Sequence, residues 1–564
     1  EKNSKKLLLY LTLPILLGLG LLGGYWLRPP SLPRITGYQQ ITSDGRQKYN
    51  ITSDGERLYF GQYDSGHFGI GQVSAAGGET ATVQTPFPNT MMAGLAPDGS
   101  ALLVGEFHHM NKQAQVWLLP LPTGAPRRLD DLVVQALTPF PQGLIFSKPD
   151  GVYEAAADGS QVHQILTTDG IATDLAVSSD GRKISFTVTD RRTASNRIWV
   201  ANRDGSKAHP IFTSNTGRDC CAKWTPDGKH LLFERYRAGH SNIWVWSEPQ
   251  FSLNRQPEAL QLTNGPLDFS APSPSRDGKR FFAVGAQPRA ELLRYDGASG
   301  FRAFAGGLSA SDVAFSADGQ WVTYVSVPDR ALWRSRADGS DRMQLTAPGK
   351  IVVGLPRWSP DGKQIVFMGR MMNANWRAYL ISASGGAYED LVPDAPSGVD
   401  PGWTPDGKSI VLSLNNVGTE GRGISILDLQ TRKASDLPGA EHLFSPRVSP
   451  DGKYIAAISG DEKRLMVFDL AAQSWSELIR MPIGYPSWSH NGQYLYFDSF
   501  FSEDPAYYRI RISDHRVERL VSLTEIHRFW GPLGEWAGLA PDDSLLITRD
   551  ASNEEVYAID WQAQ

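Results

Sequence analysis

The tract Ser/Thr-Pro-Asp-Gly-Lys returns along this chain at a nearly constant interval, and Asp361, Asp406 and Asp451 stand 45 residues apart. A fixed period of roughly 40–50 residues with strand patterns inside each unit is the sequence form of a β-propeller. Each unit is one four-stranded blade, which cannot bury its apolar faces until neighbours stack on it. Strands in this number exclude a single compact α/β domain.

The unit reads residue by residue. Around Trp358 the chain runs Trp-Ser-Pro-Asp-Gly-Lys-Gln-Ile-Val-Phe: an aromatic for the core, a tight turn, then a β-rich run. Pro360 presets φ, Asp361 can hydrogen-bond the backbone beyond it, and Gly362 accepts positive φ. A third strand follows with a central aromatic, as at Trp199, Trp244, Tyr379 and Tyr557. Turns recur at Asp54, Asp98, Asp180, Asp227, Asp277, Asp318, Asp361, Asp406 and Asp451, with degenerate copies at Pro141-Gln142-Gly143, Asn491-Gly492 and Asp542-Asp543. About twelve units exceed the usual ring of about four to eight blades. The expected fold is therefore all-β, with two tandem propellers of about six four-stranded blades each. They are expected over residues 36–298 and 299–564, parting at the Gly-rich turn Tyr295–Gly300. Seven plus five blades, or two rings sharing blades non-sequentially, are the alternatives. The segment Tyr38–Thr42 matches an outer strand and Val556–Trp561 a third strand. Each ring is thus expected to close by pairing its first strand with its last blade, which removes exposed sheet edges.

The N-terminus has a different character. Leu7 to Trp26 is an uncharged run of about twenty residues, long enough to span a bilayer as a helix. Pro14 and several glycines interrupt it, which membrane helices tolerate, and Tyr25 and Trp26 suit the interface. Lys2, Lys5 and Lys6 precede the run, while Arg28 and Arg34 follow it. The positive-inside rule makes residues 1–6 a cytoplasmic stub and 7–26 a single-pass helix of the inner membrane, with the propellers on the periplasmic side. Residues 27–35, rich in proline, read as a stiff linker. A cleaved signal peptide is the competing reading, but the run exceeds a usual signal core and no Ala-x-Ala site precedes Pro29-Pro30. Gly20 and Gly24 have the spacing that permits close helix approach, which leaves a homodimer open.

No Gly-x-Ser-x-Gly elbow occurs, so an α/β-type serine hydrolase lacks its nucleophile. His108-His109, His230 and His240 lack a His-x-x-x-His or Cys-x-x-Cys companion and read as loop residues, not metal ligands. The recurrent aspartates lack the Asp-x-Asp-x-Asp-Gly array of a calcium loop and read as turn formers. Cys220 and Cys221 are the only cysteines. Because a bond between neighbours has awkward geometry, they are expected to be small buried strand residues. A net charge of −5 without a basic stripe argues against nucleic-acid contact by this portion. No catalytic, cofactor-binding or metal-binding residue is therefore assigned, no cofactor is expected, and a binding scaffold remains. Its contacts are expected on loops or in a central channel, with a protein or small ligand. The longer loops are Phe107–Gln115, Asp190–Asn196, Met371–Trp376, Asn416–Gly423 and Phe500–Ala506. Met371, Met372, Trp376, Phe500 and Phe501 give two of these loops an apolar character.

The decapeptide Trp358–Phe367 resembles the TolB-type propeller repeat, and the resemblance covers nearly all of the chain after residue 36. A membrane helix, such blades, and the closing segments Trp536–Asp550 and Glu554–Trp561 together resemble the C-terminal part of ToxR/CadC-type membrane-spanning transcriptional regulators. In that family a cytoplasmic winged helix binds DNA. Nothing in these residues resembles one, and because the sequence starts at Glu1 an upstream domain is expected outside it. The resemblance implies a non-enzymatic extracytoplasmic sensor or protein-contacting module. An envelope scaffold, a transport-associated propeller, the ectodomain of a receptor kinase and, most remotely, an enzyme within the propeller are the alternatives.

Overall fold

A computed structural model describes residues 32–562, apart from 65–66, 107–113, 191–194, 213–217, 238–239, 249–258, 372–373, 415–422, 500–501 and the single positions 86, 88, 123, 305, 307, 396 and 503. The expected membrane helix at 7–26 lies outside these residues. Among them no helix is long and apolar enough to cross a membrane. Apart from a single 3-10 turn at Gly297–Ser299, the regular structure of the described residues is antiparallel strand, arranged as twelve four-stranded sheets and one two-stranded hairpin.

Each repeat folds as its residues dictate. In the turn after Trp358, Ser359 Oγ donates to Asp361 Oδ1 (2.6 Å), the same carboxylate oxygen accepts the Lys363 amide (3.1 Å), and Ser359 Oγ accepts the Gln364 amide (2.9 Å). Gly362 completes the turn at φ +69°. The same bonds recur after Thr404 and Ser449. The hydroxyl and amide donors hold the Asp361, Asp406 and Asp451 carboxyls below their usual range. The degenerate turn after Trp488 works the same way, with Asn491 standing in for the aspartate. The repeat tryptophans tie blade to blade: the indole N–H groups of Trp358, Trp403 and Trp488 donate to Ala314 O, Arg357 O and Arg447 O in the inner strand of the preceding blade.

The innermost strands contact one another in two closed cycles of six. The first ring takes its inner strands from Gln47–Ser53, Thr90–Leu95, Ala136–Phe140, Gly170–Val177, Arg218–Trp224 and Asp268–Pro274. The second takes them from Ala310–Phe315, Ile351–Trp358, Val399–Trp403, Leu443–Val448, Gly484–Trp488 and Ala537–Leu539.

The rings do not follow one another along the chain: the first is closed by strands from both ends of the described chain, with the second nested between them. The sixth blade of the first ring is Asp268–Pro274, Arg280–Gln287, Asn553–Gln562 and Arg34–Gln40, in that order from axis to rim. The sixth blade of the second ring is Ala537–Leu539, Leu545–Asp550, Ala290–Tyr295 and Phe301–Ala303. The second ring is thus one continuous segment, residues 290–550, inserted between the second and third strands of the first ring's sixth blade, and the boundaries fall at 287/290 and 550/553 in place of the expected 298/299. The cause is local. A two-residue hairpin turn needs positive φ, and neither Pro288 nor Arg289 takes it. The chain therefore runs on out of its sheet. The two crossings lie side by side, with the Ala551 amide donating to Arg289 O and the Arg289 amide to Ser552 Oγ, both at 2.9 Å. The expected roles of Tyr38–Thr42 as an outer strand and Val556–Trp561 as a third strand hold for Tyr38–Gln40 and for Val556–Trp561 within the first ring's sixth blade.

In both rings the Asp-Gly turns mark one face, and the loops between second and third strands mark the other. The loop faces meet. Tyr63, near the end of a second strand, hydrogen-bonds Glu535 and packs its ring 5.3 Å from Trp530. Arg218 and Tyr236 of the first ring share a narrow cleft with Lys350, Arg370 and Met371 of the second.

Candidate functional site

The axial positions differ sharply between the rings, and one backbone device builds both. In nine of the twelve blades the inner strand carries a non-glycine residue at positive φ beside a break in register. These are Asn50, Asp174, Cys221, Ala271, Asp312, Leu355, Asp400, Ser445 and Tyr485. Such bulges re-aim a side chain out of the regular alternation. Asn50, Asp174, Cys221 and Ala271 line the axial channel of the first ring.

In the second ring the axis is filled. Arg357 Nη2 and Arg447 Nη2 donate to the two oxygens of Asp400, each at 2.9 Å, and Ser445 Oγ donates to the same carboxylate. Burial alone would raise the Asp400 carboxyl, but Arg447 and Arg357 outweigh it and hold the group below its usual range. The hairpin Trp530-Gly531-Pro532-Leu533-Gly534-Glu535 caps this axis. Leu533 packs into the core formed by Leu355, Met368, Val399 and Trp536, and its carbonyl accepts the Tyr485 hydroxyl. Arg528 beneath the hairpin is 2% exposed. It donates to Asp498 Oδ2 (2.8 Å), Glu535 O (2.7 Å) and Trp536 O (3.1 Å).

The first ring is open by contrast. A cavity of about 580 Å³ runs along its axis and is lined from all six blades, a size suited to a small organic ligand. Its wall is largely apolar, including Ile51, Met92, Val116, Val134, Ile171 and Pro272. Polar groups interrupt it, among them Asn50, Glu106, Asp174, Lys223 and Glu234. Asn50 Nδ2 donates to Met92 O (2.8 Å). Glu234 accepts from Ser241 Oγ (2.7 Å) and the Ala271 amide (3.4 Å), and burial lifts its carboxyl above the usual range. Burial lowers the Lys223 ammonium, with the nearby Asp174 charge opposing the shift. The wall thus offers a cation, three carboxylates and a wide apolar surface.

Several sequence expectations change here. Cys220 and Cys221 are half-buried and joined to each other as a disulfide, against the expectation of two buried thiols. In a regular strand adjacent side chains point to opposite faces. The bulge at Cys221, φ +62°, turns both sulfurs to one side. His230 Nδ1 lies 2.7 Å from Ser247 Oγ, and His240 Nδ1 lies 2.9 Å from Asp268. His108 and His109 lie outside the described residues, as do Met372, Phe500, Phe501 and most of the long loops. Met371 is exposed beside the inter-ring cleft, whereas Trp376 packs against the second-ring core under Arg370. Sequence reading missed the channel residues. Their signal was present, since each stands three positions before the residue that opens the turn motif, as Cys221 does before Trp224 and Asp400 before Trp403.

No family model matches the chain, and no curated protein does. Among solved structures the chain is similar to a putative TolB from Agrobacterium tumefaciens, with 18% identity, 47% of this chain and 99% of that one covered, and a TM-score of 0.39. It is also similar to TolB from Acinetobacter baumannii, at 15% identity, 58% and 77% coverage and a TM-score of 0.21. A third, the GH74 enzyme of Niastella koreensis, is 11% identical, with 89% and 90% covered and a TM-score of 0.32. The propeller assignment itself rests on the strand order and the two closed rings.

Proposed function

We propose that this chain is a non-enzymatic binding and sensing module. In this reading the first ring takes a small amphipathic ligand in its channel, and the second serves as a rigid partner. The observation that carries the reading is the asymmetry of the axes: one cavity of about 580 Å³ with an ammonium facing it, and one axis packed with ion pairs and a capping hairpin. Ligand binding at the first axis would be felt at the loop face, where the rings touch. The uncharged run at 7–26 supports anchorage in the inner membrane with the propellers outside. The resemblance of the whole arrangement to ToxR/CadC-type regulators supports a sensory role for a DNA-binding domain encoded upstream.

Native mass spectrometry of the intact chain, purified from its own envelope, tests the channel. A small-molecule adduct is expected, and it should vanish in Ala136→Phe, which fills the cavity from its wall. An adduct that persists in the filled variant would sink the channel reading. For the regulatory part, an upstream reading frame that encodes no winged helix would remove the transcriptional role and leave an anchored envelope scaffold.

A further inference from the structure

One grouping in the first-ring channel is not used by a purely organic ligand. The carboxylate of Asp174 and the sulfurs of Cys220 and Cys221 all lie within 4.8 Å of one another, half-buried at the junction of two neighbouring blades. It is the grouping of metal-ligating atoms found among the described residues. The bulge that carries Cys221 is what makes it: without it one sulfur would face the channel and the other the opposite side of the sheet. Asp174 occupies the equivalent bulge of the preceding blade, so the same device aims all three ligands at one point.

We propose that Cys220, Cys221 and Asp174 form a redox-gated site for a thiophilic divalent metal ion, and that the disulfide is its closed form. Opening consumes an external dithiol. The S–S bond takes up two electrons and two protons, leaving two thiols on the chain and a disulfide on the reductant. A metal ion then displaces the two thiol protons to solvent and bonds both thiolates, with the Asp174 carboxylate as the third ligand. Thiolate ligands select soft and borderline ions over magnesium or calcium. Cys221 lines the channel, which gives a small reductant and the ion a route to the sulfurs. The inference is separate from the organic ligand, because the site needs only the channel wall.

The test uses the intact chain and cadmium ion alone, after reduction with a phosphine and its removal under anaerobic conditions. Because the sequence holds only two cysteines, a thiolate-to-cadmium absorption band reports this site and no other. The reduced chain is expected to take up one cadmium per molecule and to lose its titratable thiols as it does so, while the unreduced chain gives no band. Asp174→Asn is expected to keep a cooperative melt and to bind cadmium at least about 10-fold more weakly, because loss of a direct ligand should cost no less than loss of the outer partners of ligands, roughly 10–100-fold. The proposal is overturned if the reduced chain takes up no cadmium, if the unreduced chain gives an equal band, or if Asp174→Asn binds as tightly as the parent. The small-molecule adduct measured on the same preparations stands or falls independently of these results.

Discussion

Trp561→Ala is the sharpest probe of how the rings are joined. Trp561 stands on the strand Asn553–Gln562 and is 5% exposed. Its ring lies 6.0 Å from both Phe281 and His230, and its indole N–H donates to Gly278 O at 3.1 Å. All three partners belong to the first ring, although they stand between residues 230 and 281 and the tryptophan stands at 561. Removing a buried tryptophan costs about 3–5 kcal/mol, a large part of the roughly 5–15 kcal/mol that holds a domain. For a unit of this size that is a fall in melting temperature of roughly 6–20 °C. Calorimetry paired with hydrogen exchange reads both size and place. Protection should fall in Asp268–Gln287 and Arg34–Gln40 and persist in Ala290–Tyr295 and Leu545–Asp550. Leu546→Ala, at a fully buried position of the second ring, should give the reverse pattern. Loss of protection in the second ring on Trp561→Ala would refute the assignment of Asn553–Gln562 to the first ring.

Arg528→Met strips two buried carboxylates of their cation and should cost about 3–5 kcal/mol at neutral pH. Denaturant melts should show a smaller loss in mild acid, where Asp498 takes up a proton. Burial holds Asp498 at about 6 and Glu554 at about 7, above their ordinary 3.8 and 4.5. The folded chain therefore binds these protons more tightly than the unfolded one. The stability they contribute is full near about pH 4 and is lost as pH rises through about 6 and 7, roughly 3 kcal/mol apiece. Urea midpoints falling between about pH 5 and about pH 8 would show it, and midpoints that rise over that window would contradict it. Ser359→Ala removes one donor to Asp361 and one acceptor for the Gln364 amide. A loss of about 1–2 kcal/mol is expected from chemical denaturation.

The blades were legible in the sequence because their determinants are local. Turn, aromatic and strand lie within a few residues, and Ser359, Asp361 and Gly362 act on one another within a single turn. The pairing of the last strand was not legible. Val556–Trp561 suits the third position of any blade, and its residues do not encode which sheet edge it will meet. The short connection Pro288-Arg289 held the decisive clue, in that it cannot make the expected hairpin. Cys220 and Cys221 were misread for a related reason. Their adjacency was judged on a regular strand, and the bulge at Cys221 reverses the direction on which that judgement rested. The channel residues lay at a fixed offset from the turn motif, but only the ring geometry gives that offset a meaning.

The crossing strands also set a timetable for biogenesis. A ribosome adds roughly 5–20 residues each second, so tens of seconds separate synthesis of Arg280–Gln287 from that of Asn553–Gln562. Throughout that interval the nascent first propeller has an unsealed seam, exposed to wrong partners and to proteases. Any product that terminates early would keep the seam, so quality control could recognise an incomplete polypeptide by its failure to zip shut.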